Sequence, residues 1–440
     1  MLKKTTYILN ALLAAALLST SDGLYGHIAA ADTAHGNISS VSAAADSATP
    51  VLKPLWQAKT NENGLYDKQA PASNGLVYYA ASGKLMAADL TTGKVKWSIP
   101  GGQYPEVITN SSVFYITSGG DLMRANARSG KVIWKVKGGN AFSEVGAHAA
   151  LESGTLIYFN ENGGLAAYNP SNGKKKWENK ALPMYASSLI GQYDGVLVVS
   201  STVDNYRTQF FGLDPATGKQ LWRTEGVYSF LAYRKGQLMM RRQPNLSTVT
   251  GGVAAPGYLV TWVQLSPRTG KVTRTENYTP LHDVSRLGNS YTAIVGTYLY
   301  TADGNLDKNE AFLRRYTLDQ DSNAKPVSYE QYGKWLAGPE NGMAFFAQGT
   351  ELIGVKLSNL STVSYGRFPS PVARVQAVGR GVFASLDNGE FYLIEAATGK
   401  RLGHIATNAT EIGNAYVVND VVLIQTNAGL IAAALPKSLK

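Results

Sequence analysis

The chain has 440 residues, 44% of them hydrophobic and 16% charged, with a formal net charge of +10 and no cysteine. That balance is too apolar for a disordered chain, and the missing thiol excludes disulfides, thiolate metal sites, a cysteine nucleophile and a lipidated cysteine. The 45 glycines and 25 tyrosines favour turns and strands over long helices.

At the amino end, Lys3 and Lys4 precede an apolar stretch from Ile8 to Leu18, and Ala29-Ala30-Ala31 supplies a small-residue cleavage site. This is the anatomy of an export signal over residues 1–31; its apolar run is shorter than the roughly 20 residues a spanning helix needs. A secreted, extracytoplasmic protein without a membrane anchor after cleavage is therefore expected. Residues 32–50 are Ala, Ser, Thr and Asp with almost nothing bulky. Such a segment buries too little apolar surface to offset its ordering entropy, so it reads as a flexible leader.

A repeat occupies the rest. Four segments align without gaps: LMAADLTTGKVKW ending at Trp97, LMRANARSGKVIW at Trp134, LAAYNPSNGKKKW at Trp177 and FFGLDPATGKQLW at Trp222. A fifth, ending at Arg274, keeps the turn and loses the tryptophan. A late copy has its turn at Gly399. The turn glycines Gly93, Gly130, Gly173, Gly218 and Gly270 are 37, 43, 45 and 52 residues apart. The 129 residues from Gly270 to Gly399 leave room for two eroded copies, around Phe312 and Leu352.

Upstream of each motif, a short apolar run ends in small turn residues, giving strand, hairpin, strand. Asp89, Asn126, Asn169 and Asp214 can bond the turn backbone, and the following glycine provides positive φ. The closing aromatic can wedge between neighbouring sheets. Units of this length without helical periodicity predict an all-β fold: a β-propeller of four-stranded antiparallel blades spanning 51–440. Trp56 stands 41 residues before Trp97, so residues 54–58 read as an orphan last strand. The carboxyl end reads as a third strand lacking its fourth, and pairing the two termini would close the ring. Nine hairpin units are counted. Because propellers usually have four to eight blades, the reading favours eight, with one eroded unit as an insertion and nine left open.

The pattern Ala-x-Asp-x-x-Thr-Gly-Lys-x-x-Trp, best seen from Ala87 to Trp97 and from Leu213 to Trp222, is similar to the repeat of the pyrroloquinoline-quinone-type (PQQ-like) propeller family. The resemblance covers 51–440, strongest before Trp222. It implies a propeller but leaves function open, because members are either quinone-dependent dehydrogenases or non-enzymatic propellers such as the lipoprotein of the barrel-assembly machinery. In the enzymes it implies a quinone on the axis with calcium, a carboxylate base and a stacking tryptophan, and in several a pair of adjacent cysteines. The cysteine pair is impossible here, and no acidic set can be assigned to the calcium and base roles. No cofactor is expected, with PQQ and calcium the alternative. The lipoprotein's anchoring cysteine is missing too.

Asp319, Asp321, Asn323 and Glu330 match four positions of an EF-hand-type calcium loop, but Ala324 replaces the required glycine and Pro326 interrupts it, so a polar β-turn is expected and no metal site. His35, His148, His282 and His404 show no ligand spacing, and no Gly-x-Ser-x-Gly pattern occurs. Lys94, Lys131, Lys174, Lys219, Lys271 and Lys400 each follow a turn glycine. They read as a solvated rim rather than a nucleic-acid patch. A binding site in the axial funnel would use polar residues near the inner strands: Glu106, Glu144, Arg286, Arg374 and Glu411. The long excursions 202–208 and 243–258 are the other candidates. These features favour a non-catalytic, monomeric scaffold binding a protein or an anionic cell-envelope polymer, with an enzyme using the funnel as the alternative.

Overall fold

A computed structural model of the chain describes residues 49–60, 71–138, 147–160, 164–182, 187–202, 208–242, 260–278, 291–305, 310–319 and 326–440. Residues 1–31, read above as an export signal, and all but the last two residues of the segment 32–50 read as a leader lie outside them.

The alternating apolar runs fold into nine four-stranded antiparallel sheets. Eight are simple meanders: blade one spans 72–100, two 102–136, three 148–179, four 188–223, five 228–278, six 291–328, seven 334–367 and eight 372–406. Blade nine takes three strands from 412–434 and its fourth from Trp56–Lys59, with Trp56 opposite Ala432. The terminal closure expected from the sequence is therefore present. The preference for eight blades is corrected to nine. Both eroded units keep a full sheet, although the fourth strand of blade six is only Val327–Ser328. Nine separate apolar clusters sit between the blades, each joining two neighbours, including blade nine to blade one. An open row of nine sheets would leave only eight such seams, so the ring is closed.

Local chemistry explains each turn. The first hairpin of blade one turns through Asn74 and Gly75, both at positive φ, the geometry that matches strand twist. In the motif turn, Asp89 Oδ1 accepts the N–H groups of Thr91 and Thr92, and the Gly93 N–H donates to the Asp89 carbonyl at 2.9 Å. The Thr91 hydroxyl above all, then the Thr92 hydroxyl and the two threonine N–H groups, hold the Asp89 carboxyl well below the usual carboxylate range.

A β-bulge precedes each motif tryptophan, between Ala87 and Ala88 on the partner strand of blade one, and at the matching place in blades two, three and four. An extra residue there re-aims the next side chain. The ring consequently docks on the turn of the following blade. Trp56 Nε1–H donates to the Leu90 carbonyl, Trp97 to Ala127, Trp134 to Pro170, Trp177 to Pro215 and Trp222 to Pro267, at 2.8–3.1 Å. Each ring covers the turn glycine of that next blade; a Cβ at Gly218 would lie 2.3 Å from the Trp177 ring. The glycine thus serves the turn and the seam together.

From blade five onward other residues take this place. Arg274, at the tryptophan position, donates to Asp319 of blade six at 3.0 Å and pairs with buried Glu276. Glu276 also accepts from Trp262 Nε1 and the Tyr278 hydroxyl, which satisfies a charge that would otherwise be costly. In blade seven the Tyr365 hydroxyl donates to the Ala396 carbonyl of blade eight at 3.0 Å.

Candidate functional site

The inner strands of neighbouring blades touch one another, so they converge on the axis. Four that are central here are Gly102–Ile108 of blade two, His148–Glu152 of blade three, Val372–Val378 of blade eight and Ile412–Val418 of blade nine. Side chains leaving them sideways reach the next blade before they reach solvent.

Glu106 does this. Its Oε2 accepts the Ala149 N–H of blade three at 3.3 Å and lies 3.6 Å from His148 Nδ1. Gln376 repeats the contact across blades eight and nine, accepting the Ala415 N–H at 2.7 Å. Both stand two residues before the end of their inner strand, but Glu106 falls in a β-bulge whereas Gln376 lies opposite Phe383. Glu340, at the end of the inner strand Lys334–Glu340, accepts the Ala377 N–H of blade eight at 3.0 Å. Burial raises its carboxyl above the ordinary range despite that bond. Arg374 Nη1 donates to Asn414 Oδ1 at 2.6 Å, another bond from blade eight to blade nine.

The funnel residues proposed from sequence therefore divide. Glu106 and Arg374 are inter-blade struts on different seams. Glu411 is exposed just before the inner strand of blade nine, and its carbonyl accepts the Asn427 N–H. Glu144, Arg286 and most of both long excursions lie outside the described residues. Sequence reasoning missed Gln376, Glu340 and Asn414. No sequence signal marks them, because each contact depends on how neighbouring inner strands are set against one another.

Aromatic side chains also stand on the inner strands. Tyr104 and Tyr416 pack from blades two and nine against the cluster between blades nine and one. Burial pushes the Tyr104 hydroxyl up to about 12 and also raises the Tyr416 hydroxyl well above its ordinary value. Tyr291 lies against Trp335, ring centres 5.0 Å apart. A quinone with calcium would need carboxylates converging on one point. Glu106 and Glu340 instead serve backbone amides on separate seams, so these residues do not fit that group.

The turn of the calcium-loop resemblance is also engaged. Asp319 pairs with Arg274 and, at 3.5 Å, with Lys235, while Glu330 pairs with Arg314 at 2.9 Å. Asp321 and Asn323 lie outside the described residues.

The outer rim differs from the axis. Lys94, Lys131, Lys174, Lys219, Lys271 and Lys400 are all exposed, one on each of six blades. In blade two, Val132 and Ile133 on the outermost strand are also exposed. The rim thus presents cations and scattered apolar groups, whereas Glu106, Glu340, Arg374 and Gln376 on the inner strands are held in bonds between blades.

A protein-family model described as outer membrane protein assembly factor BamB matches residues 36–200 and 118–305. Among solved structures, BamB from Moraxella catarrhalis is 14% identical over 75% of this chain and 93% of its own, with a TM-score of 0.45. The quinohemoprotein alcohol dehydrogenase from Comamonas testosteroni is 14% identical over 88% and 78%, also at 0.45. The computationally designed Ika8 protein is 12% identical over 83% and 95%, at 0.45. No curated protein matches.

Proposed function

The chain belongs to the family of the outer membrane protein assembly factor BamB, and from that premise we propose that it is a non-catalytic scaffold that holds a protein partner on its rim. The observation that carries this reading is the contrast between a strutted axis and six exposed turn lysines distributed over the perimeter. Separated cations on rigid turns suit a broad acidic protein surface better than a small substrate. Residues 1–31, read as an export signal, support a partner outside the cytoplasm, in the cell envelope or beyond, met by this protein as a monomer.

Chemical cross-linking of the exported protein in envelope material, followed by identification of the linked chain, tests the scaffold. One partner linked in wild type and lost in the Lys131→Glu/Lys174→Glu variant is the expected result, with capture weakening as salt rises. Recovery of anionic polymer instead of protein would transfer the rim to a different ligand. Quinone-dependent dye reduction after adding PQQ and calcium would replace the scaffold with an enzyme.

A further inference from the structure

Blade eight is the one whose inter-blade lock cannot form in the usual way. In blades one to four the tryptophan docks on the tight turn before the next blade's fourth strand. Blade nine receives its fourth strand from Trp56–Lys59 and so has no such turn. The tryptophan position of blade eight is Gly403, and the chain's own residues Pro50–Leu52 cross the outer edge of the blade there. The His404 N–H donates to the Pro50 carbonyl at 2.9 Å, the Leu52 N–H donates to the His404 carbonyl at 2.8 Å, and Val51 bridges His404 in parallel. Leu52 fills the space over Gly403, where a Cβ would come within 2.4 Å of it. Val51 points outward, 72% exposed.

We propose that this edge is an acceptor for an extended protein segment, currently held by the chain's own residues 50–52 and opened to a partner when they lift. The proposal rests on the scaffold reading and names its docking site. The resident segment shows the chemistry the edge takes: a backbone in extended form, an outward β-branched residue, then a leucine for the Gly403 hollow. It is held by two backbone bonds and one side chain. Leu52 also packs on the apolar cluster between blades eight and nine, but the closure of blade nine rests elsewhere, because the Leu55 N–H donates to the Ala432 carbonyl and Trp56 docks on blade one. Residues 50–53 can leave while blade nine stays closed. The partner segment fitting this edge is therefore a strand carrying an aliphatic residue followed by leucine.

A fluorescent peptide with the sequence of residues 48–54, Ala-Thr-Pro-Val-Leu-Lys-Pro, tests this against the full-length chain. In wild type the resident segment competes. Leu52→Asp in the protein removes the competitor and is expected to tighten peptide binding about tenfold or more. Gly403→Val closes the hollow and is expected to abolish binding, as is an aspartate in place of the peptide's leucine. Equal binding by all three proteins, or none by a cooperatively melting Leu52→Asp chain, overturns the proposal. Should that variant fail to fold, amide exchange in wild type decides: His404 is expected to exchange at least about tenfold faster than Leu393 on the neighbouring strand, and equal rates overturn it. A partner cross-linked equally to Gly403→Val would sink this site and leave the scaffold. Peptide binding without any cross-linked partner would do the reverse.

Discussion

Blades one to four and blades five to eight solve one packing problem with different residues. In the first group a tryptophan, its bulge and the next blade's glycine recur almost unchanged. In the second, the same place is taken by Arg274 with a buried carboxylate, by Tyr365 one residue later, and by Gly403 with Leu52 supplied from the far end of the chain. In blades five and seven the geometry persists, with a group leaving the fourth strand to reach the turn of the next blade, whereas in blade eight Leu52 fills the position from outside the blade. Propeller seams tolerate any chemistry that fills that volume and satisfies the exposed carbonyl or carboxylate.

Four measurements would break or sharpen this comparison. The largest effect is expected for Trp177→Ala, which removes a buried ring and its bond to Pro215. A loss of about 3–5 kcal/mol should be seen by urea unfolding. A value near 1 kcal/mol would mean that the ring decorates the seam rather than holding it.

Next comes Arg274→Ala, which leaves Glu276 buried beside Trp262 and Tyr278. Breaking a buried pair costs about 3–5 kcal/mol, but Arg274 is 43% exposed, so about 2–3 kcal/mol is expected. Combining Arg274→Trp with Glu276→Val should recover most of it if the two halves use one geometry. Tyr365→Phe, which deletes the bond to Ala396, should cost about 1 kcal/mol in the same assay.

The smallest effect concerns acid. Asp89 and Asp214 have carboxyls held below their ordinary range, Asp89 first by the Thr91 hydroxyl and Asp214 first by the Thr217 backbone N–H. A depressed folded-state value stabilises fully above the unfolded value, about 3.9, and the contribution is lost as pH falls through the folded value. Asp89→Asn should therefore lower thermal stability modestly at pH 7, where the wild-type contribution is fully present, and the gap to wild type should close as pH falls below about 4, which flattens the acid limb.

Most of the ring was legible in the amino-acid order because each motif residue has a separate job. The Asx residue bonds the turn, glycine makes it and seats a neighbour's ring, and tryptophan reaches across. All nine third strands lie where the repeat places them, and Trp56 pairs with Ala432 as expected. All nine units were counted from the sequence, and the preference for eight came from the usual size of propellers rather than from a missing unit; nine sheets form. The axial struts were harder still: Glu106 and Arg374 were picked as polar and tunnel-facing, but whether they meet a ligand or a neighbouring amide depends on inter-blade register. The meeting of Leu52 with Gly403 joins distant parts of the chain through shape alone, and no local pattern announces it.

The pairing of Trp56 with Ala432 also fixes an order of events. Of all the sheets, this one needs a strand made among the first and three made last, so during synthesis or export its early strand must wait, unpaired, until the final segment arrives. Eight sheets can settle as they emerge, by short-range hairpins. The ninth completes only when the two extremities meet, so cutting the chain short is expected to leave an early-made edge exposed as well as a missing tail.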